Sequence, residues 1–289
     1  MECATHAIIA ANMGAYRDAE WTVCHPLLAS LNQTMLCLAD RGFTGYEHWC
    51  RAKATGAQLL WRCASNRQLP VQRRLSDGSF LSVLQPSRGP RRKDARAAVT
   101  VRVVEYTLPD AEGTQGRFRL LTTLLDEHHA PALELAALYH ERWEVESVFD
   151  DLKTHVHQRR RVLRSQTPEL VRQEFYGWVL THYAVRWLMH TAATEHQVPP
   201  RTLSFVAHVQ LLRRAQPQSG AFPPSASALG CVSSRGTANP RMVKRRNTPY
   251  ASHNRTLPLH QHQVFHPALV PPLPLSNQKW YSLAKKQLH

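Results

Sequence analysis

Four residues near the middle of the chain have the types and spacing to act on a phosphodiester: Tyr139, Arg142, Glu146 and Lys153. At roughly 100° per residue, offsets of three, seven and fourteen keep them within about 60° of arc on a helix. They would form one polar stripe over four turns. A carboxylate such as Glu146 can hold a divalent metal through oxygen. Arg142 and Lys153 can neutralise phosphate oxygens, and Tyr139 can hydrogen-bond one. The plainer reading of Arg142 and Glu146 is an i, i+4 surface ion pair. Chance alone would assemble all four on the order of once in a thousand chains at average residue usage.

The rest of the chain is consistent with a polyanionic partner. It has 289 residues, with 36 Lys and Arg against 21 Asp and Glu, for a formal charge of +15. A basic surface attracts phosphate polymers without specifying a fold. The 17 histidines strengthen that field in mild acid. Hydrophobic residues make up 43%, enough for a sizeable core and too many for a disordered chain. No apolar run approaches the ~18 residues that span a bilayer, and Met1–Cys3 open no signal segment. The expectation is a soluble, cytoplasmic protein with no membrane partner. Six scattered cysteines lack any C-x-x-C pair and read as reduced, small hydrophobes. The tight pair His260/His262 does not make a zinc site.

The elements that must position the four residues follow from the pattern. Cys3–Gly14, with Thr5, Ala7, Ile8, Ile9 and Ala10, reads as a strand, and Asp18–Leu31 as a helix. Met35–Asp40 is a short apolar run ending on an acid, as in a buried parallel strand. Tyr46–Ala54 reads as the next helix. From 57 to 125 the segments are short and β-branched or alternating: Ala57–Cys63, Val71–Leu75, Phe80–Leu84, Val99–Leu108 and Arg117–Leu125. With the Asp77-Gly78 turn they make an antiparallel block. Leu133–Thr154 reads as one helix, its apolar stripe at Leu138, Val145, Phe149 and Leu152. Thr167-Pro168 starts a long helix reaching about Glu195, and Thr202–Arg214 makes a shorter one. The Pro, Ser, His and Arg-rich remainder has no periodicity. The fold class is α/β.

Tyr-x2-Arg-x3-Glu-x6-Lys resembles the signature around the last acid of bacterial insertion-sequence transposases of the DDE, RNase H-like type. Leu38-Ala39-Asp40-Arg41-Gly42-Phe43 is similar to that family's second-acid strand. Leu121–Asp126 and Leu163-Arg164-Ser165-Gln166-Thr167-Pro168 are similar to further family segments, so the likeness covers roughly residues 3 to 215. The resemblance implies an RNase H-like core in residues 1–56 and 126–215, a β-strand insertion at 57–125, and an irregular tail from 216 to 289. It implies Asp40 and Glu146 as the second and third catalytic carboxylates and metal ligands. Independently, an acid at the carboxyl end of a buried strand sits where open α/β sheets place ligands. Asp40 and Glu146 would together hold two Mg²⁺ ions, or Mn²⁺ in their place, about 3.5–4 Å apart. The implied partners are double-stranded DNA, as transposon ends and target, and a second copy of the chain on that DNA. The implied location is the bacterial nucleoid. The family's first catalytic Asp lies upstream of the segment resembling Met1–Gly14, so the expectation is a truncated transposase, inactive or impaired alone. The alternative is a non-catalytic DNA-binding remnant that interferes with an intact transposase.

Other candidates have ordinary readings. Asp18 and Glu20 suit the first turn of a helix. Asp77, Asp110 and Asp126 read as turn residues, and Asp150 and Asp151 as surface acids. Trp143, Trp178 and Trp187 read as core. His140, His155 and His157 border the polar stripe. Of the basic clusters Arg91-Arg92-Lys93, Arg159–Arg161 and Lys244–Arg246, at least one should meet phosphate. No RRM, KH or zinc-knuckle pattern points to RNA.

Overall fold

The computed structural model describes residues 1–86, 97–109, 115–156, 163–215 and 279–283. His157, Asp110 and the three basic clusters lie outside these residues. The chain divides into two compact units. One takes Leu31–Glu141 and the strand Lys279–Leu283. The other takes Met1–Ser30 and, from Arg142 onward, the helical segments. None of the described helices is long and apolar enough to cross a membrane.

The first unit is built on one sheet. Its strands are β1 (Met35–Ala39), β2 (Gln58–Cys63), β3 (Arg73–Arg74), β4 (Phe80–Leu84), β5 (Val99–Pro109), β6 (Gln115–Thr122) and β7 (Lys279–Leu283), in the order β3-β4-β5-β6-β2-β1-β7. β1 is buried at all five positions, as its unalternating Met-Leu-Cys-Leu-Ala run predicts. It pairs in parallel with β2 on one side and β7 on the other. β2 pairs antiparallel with β6, and β6 with β5, so the antiparallel strands continue the same sheet. The strands of 57–125 therefore lie in the same sheet as β1. β7 adds a strand to the tail read as irregular.

Helix α2 (Tyr46–Lys53) covers one sheet face, where Trp49 meets Trp61 edge-on at 5.2 Å. Helix α3 (Ala132–His140) covers the other, where His140 stands edge-on to Tyr106 and Phe118 at 5.9 and 6.1 Å. Against the segment that leads into α3 lies Arg102, which alternation sets opposite the valines. It is fully buried. Its Nε donates to Ser79 Oγ at 2.8 Å, and Nη1 donates to the carbonyl of Ala130 at 2.6 Å and those of Asp126 and Leu124 at 3.2 and 3.3 Å. Nη2 donates to Asp77 Oδ2, which also accepts from the Ala132 amide at 2.8 Å. Asp77 does turn the chain, with Gly78 in the left-handed region at φ 84°, where glycine is favoured. The same side chain also ties the first turn of α3 to the sheet.

The second unit departs from expectation at its start. Cys3–Gly14 forms no strand: Glu2 accepts from the amides of Ala4 and Thr5 at 3.2 and 2.9 Å, and His6 adopts φ 59°. A side chain that satisfies nearby amides offers the backbone a turn in place of a ladder. Helix α1 (Glu20–Cys24) gives way to a 3-10 stretch at His25–Ser30, where Pro26 removes a donor. Helix α5 (Pro168–Glu195) begins at the Thr167 cap, whose hydroxyl accepts from the Leu170 amide at 3.5 Å. Val185, Leu188, Met189 and Ala193 of α5 pack with Leu203 and with Phe205, Val209 and Leu212 of α6 (Phe205–Ala215).

Removing Asp77 strands a buried guanidinium. Asp77→Ala is expected to destabilise the chain by about 3–5 kcal/mol in urea denaturation; a loss under about 1 kcal/mol would contradict this reading of Arg102.

Candidate active site

The segment carrying the four-residue pattern is not one helix. α3 ends at His140, Glu141–Trp143 is a 3-10 turn, α4 spans Glu144–Asp150, and Asp151–Val156 is a π-turn. No Gly or Pro lies between Ala132 and Val156 to announce these changes. The 3-10 turn advances more than 100° per residue and the π-turn less, so Tyr139, Arg142, Glu146 and Lys153 do not share one straight stripe. The boundary between the units falls at Glu141/Arg142. Tyr139 and Asp40 belong to the sheet unit; Arg142, Glu146 and Lys153 belong to the helical one.

In the sheet unit, Asp40 follows the last residue of β1. Its Oδ1 accepts from the Arg41 amide at 2.7 Å and caps the 3-10 turn Arg41–Phe43. The Asp40 carbonyl accepts from the Phe43 amide at 3.1 Å, and Phe43 is buried. The carboxylate is thus set by a closed turn at the carboxyl end of a buried strand. Tyr139 is 1% exposed, and its hydroxyl donates to the Ala39 carbonyl at 3.2 Å. This bond lets Tyr139 brace α3 against the end of β1, beside Asp40.

In the helical unit, Arg142 is buried, its guanidinium 5.1 Å from the Trp143 ring centre. Glu146 and Lys153 are half-buried. Val145, Val148 and Leu152 turn into the protein and hold α4 and the π-turn in place. The π-turn has two remote ties. Asp151, expected at the surface, is buried and accepts from Arg186 Nη2 of α5, with His182 Nε2 3.8 Å from the same oxygen. Arg213 of α6 donates to the His155 carbonyl at 3.1 Å. Thr154 also bonds back to Asp150 at 2.8 Å. His6 Nε2 lies 3.1 Å from Glu144 Oε2 and docks the N-terminal turn on α4.

Sequence reasoning missed Asp151, His182, Arg186, His6 and Glu144, because partners 35 and 138 residues apart leave no local spacing signal. Trp143 and Trp187, expected in the core, are 37% and 54% exposed. Burial pushes the His182 imidazole below its ordinary range, against the pull of Asp151, with Arg186 and His6 adding to the drop. Burial likewise pulls Arg186 down, opposed by Asp151. Asp77 is held below the usual carboxylate range: burial works the other way, but is outweighed by hydrogen bonds from Ser79 and Ala132 and by Arg102.

The described residues include no group of three or more His, Cys, Asp or Glu gathered as metal ligands. The donors at Asp40 and Glu146 are nonetheless oxygens of the kind Mg²⁺ prefers. A carboxylate that accepts one amide, as Asp40 does, keeps lone pairs for a cation.

The family model described as "Transposase DDE domain" matches residues 4–183, more than half of the chain, and the chain belongs to that family. It is 30% identical over 212 residues to the Escherichia coli K12 "Transposase InsG for insertion sequence element IS4", covering 71% of this chain and 46% of that protein. It is 28% identical over 123 residues to the "Putative transposase y4zB" of Sinorhizobium fredii NGR234, covering 40% of this chain and 33% of that protein. The matched region thus spans less than half the length of either relative.

The His182 shift makes a testable statement about acid. On acidification through about pH 6.5 the unfolded chain takes up a proton at this position and the folded one does not, so stability falls as pH drops. The melting temperature of the parent should therefore decline more steeply between pH 7.5 and 5.5 than that of His182→Phe. Equal declines would contradict a buried, neutral His182.

Proposed function

We propose that this chain carries the catalytic region of an insertion-sequence transposase, which cuts and joins DNA strands with Mg²⁺. Family membership supports the reaction class, and the observation that carries the reading is the placement of Asp40. Its carboxylate is fixed by a capped turn at the carboxyl end of fully buried β1, where an α/β sheet presents ligands. Asp40 and Glu146 are the two carboxylates that would hold the metal. When bound, Mg²⁺ supplies Lewis acidity toward the phosphodiester and the hydroxyl that attacks it.

The chain's own residues divide the remaining work. Lys153, half-buried on the π-turn, neutralises a backbone phosphate. Tyr139 keeps the end of β1 and α3 together, and with them the position of Asp40. Arg142, stacked beside Trp143, sets the turn from which α4 delivers Glu146. No covalent enzyme nucleophile is needed, because water or a 3′-hydroxyl attacks the phosphorus directly. The substrate is double-stranded DNA, and the positive balance of the chain favours its approach.

Two measurements test the reading. Glu146→Gln should abolish Mg²⁺-dependent nicking of supercoiled DNA while leaving DNA retention intact in a gel-shift assay; equal nicking by variant and parent would contradict the assignment. A parent that retains DNA but never nicks it would leave only a binding function. Lys153→Ala should lower the slope of log affinity against log salt by about 0.9 and weaken binding to all duplexes alike. An unchanged slope would remove Lys153 from the phosphate contacts.

A further inference from the structure

Asp151 and Arg186 are both charged and both buried, and neither takes part in the chemistry proposed for Glu146 and Lys153. Asp151 is the first residue of the π-turn Asp151–Val156, and Arg186 lies within α5. The Asp151 carboxylate accepts from Arg186 Nη2, and His182 Nε2, one turn earlier on α5, stands 3.8 Å from the same oxygen. The Phe205 ring of α6 lies 4.8 Å from the guanidinium carbon. Taking two charges out of water often adds no stability over an apolar pair of the same size. Stability alone is therefore a weak reason for the pair. What it does add is direction, because a carboxylate bonded to a planar guanidinium has a restricted geometry.

The backbone so restricted is the one that carries Lys153. Were α4 to continue as a straight α-helix, Lys153, seven residues after Glu146, would lie nearly on one face with it. In the π-turn each residue advances by less, so Lys153, its third residue, is offset from that alignment. A second tie falls near the other end of the turn, where Arg213 Nη2 of α6 donates to the His155 carbonyl at 3.1 Å. The turn is thus held at its first and fifth residues from two neighbouring helices, with Lys153 between the two ties. The Asp151 tie is the one made by a side chain of the turn itself.

We propose that Asp151 and Arg186 are positioning residues: their ion pair holds the turn in its π form and so fixes the direction in which Lys153 leaves the backbone relative to Glu146. The inference rests on the phosphate contact proposed above for Lys153. Without the pair, the segment relaxes toward a continuous α-helix and Lys153 rotates away from its phosphate. Both residues act through Lys153, since buried side chains do not reach DNA themselves.

Replacing both partners, Asp151→Leu with Arg186→Met, separates position from stability in the full chain. Exchanging a buried ion pair for apolar side chains is often neutral or stabilising. It also leaves the formal charge at +15, because one acid and one base go together. A change in the salt dependence of binding to a DNA duplex then has no origin in bulk charge. The double variant should melt close to the parent, yet its slope of log affinity against log salt should already be lower by about 0.9, the loss expected for Lys153→Ala in the parent. Adding Lys153→Ala to it should change nothing further. If the double variant melts far below the parent, Arg186→Lys serves in its place, keeping the charge but not the planar fork, with the same expectation. A parental slope in the folded variant, lowered in full by Lys153→Ala, would overturn the positioning role alone. Lys153→Ala without effect in the parent would refute the phosphate contact, and this inference with it.

Discussion

A guanidinium sealed from water must find every hydrogen-bond acceptor within the protein, and the sheet unit is arranged around that demand at Arg102. Its donors are met by a turn side chain, a carboxylate and three carbonyls drawn from residues 77 to 130. Losing any one would leave a buried charge partly unmatched, so the β4 turn, β5 and the approach to α3 are constrained together. Asp77 extends the constraint into α3 by accepting the Ala132 amide. At the far end of the same helix Tyr139 reaches the Ala39 carbonyl, next to Asp40. The position of a proposed catalytic acid therefore rests on a polar network well away from it in sequence.

The helical unit solves a similar problem with a different arginine. Arg186 is buried beside the Phe205 ring at 4.8 Å and is matched by Asp151 at the first residue of the π-turn. Such turns are rare and frequent at functional sites. Here one carries Lys153 directly after the helix that carries Glu146, and it is tied to arginines of α5 and α6. The two side chains proposed for metal and phosphate are thus set relative to one another by helices that contribute no chemistry themselves.

Local signals in the sequence were strong where one residue type decides the conformation. The unalternating run of β1 marked a strand buried on both faces, and Thr167-Pro168 marked the start of α5. Phe80–Leu84 emerged with the bounds its alternation indicated. What stayed hidden was decided by distant partners. Arg102 and Asp151 look like surface charges until residues tens of positions away bury them, and the breaks after His140 and Asp150 carry no Gly or Pro. The N-terminal run of small apolar residues resembled a strand, yet Glu2 captured the nearby amides. Trp187 has the composition of core and lies outside it, because α5 presents more apolar surface than its own unit covers.

The proposal that Asp40 and Glu146 serve the same metal ions has a direct chemical test. Ferrous iron supplied in place of Mg²⁺, with ascorbate and peroxide, cuts a protein backbone close to where the metal binds. Cleavage should appear near residue 40 and near residue 146 in the same sample, be suppressed at both by excess Mg²⁺, and be lost at both in either Asp40→Asn or Glu146→Gln. Cleavage at only one of the two, or loss confined to the substituted position, would contradict it.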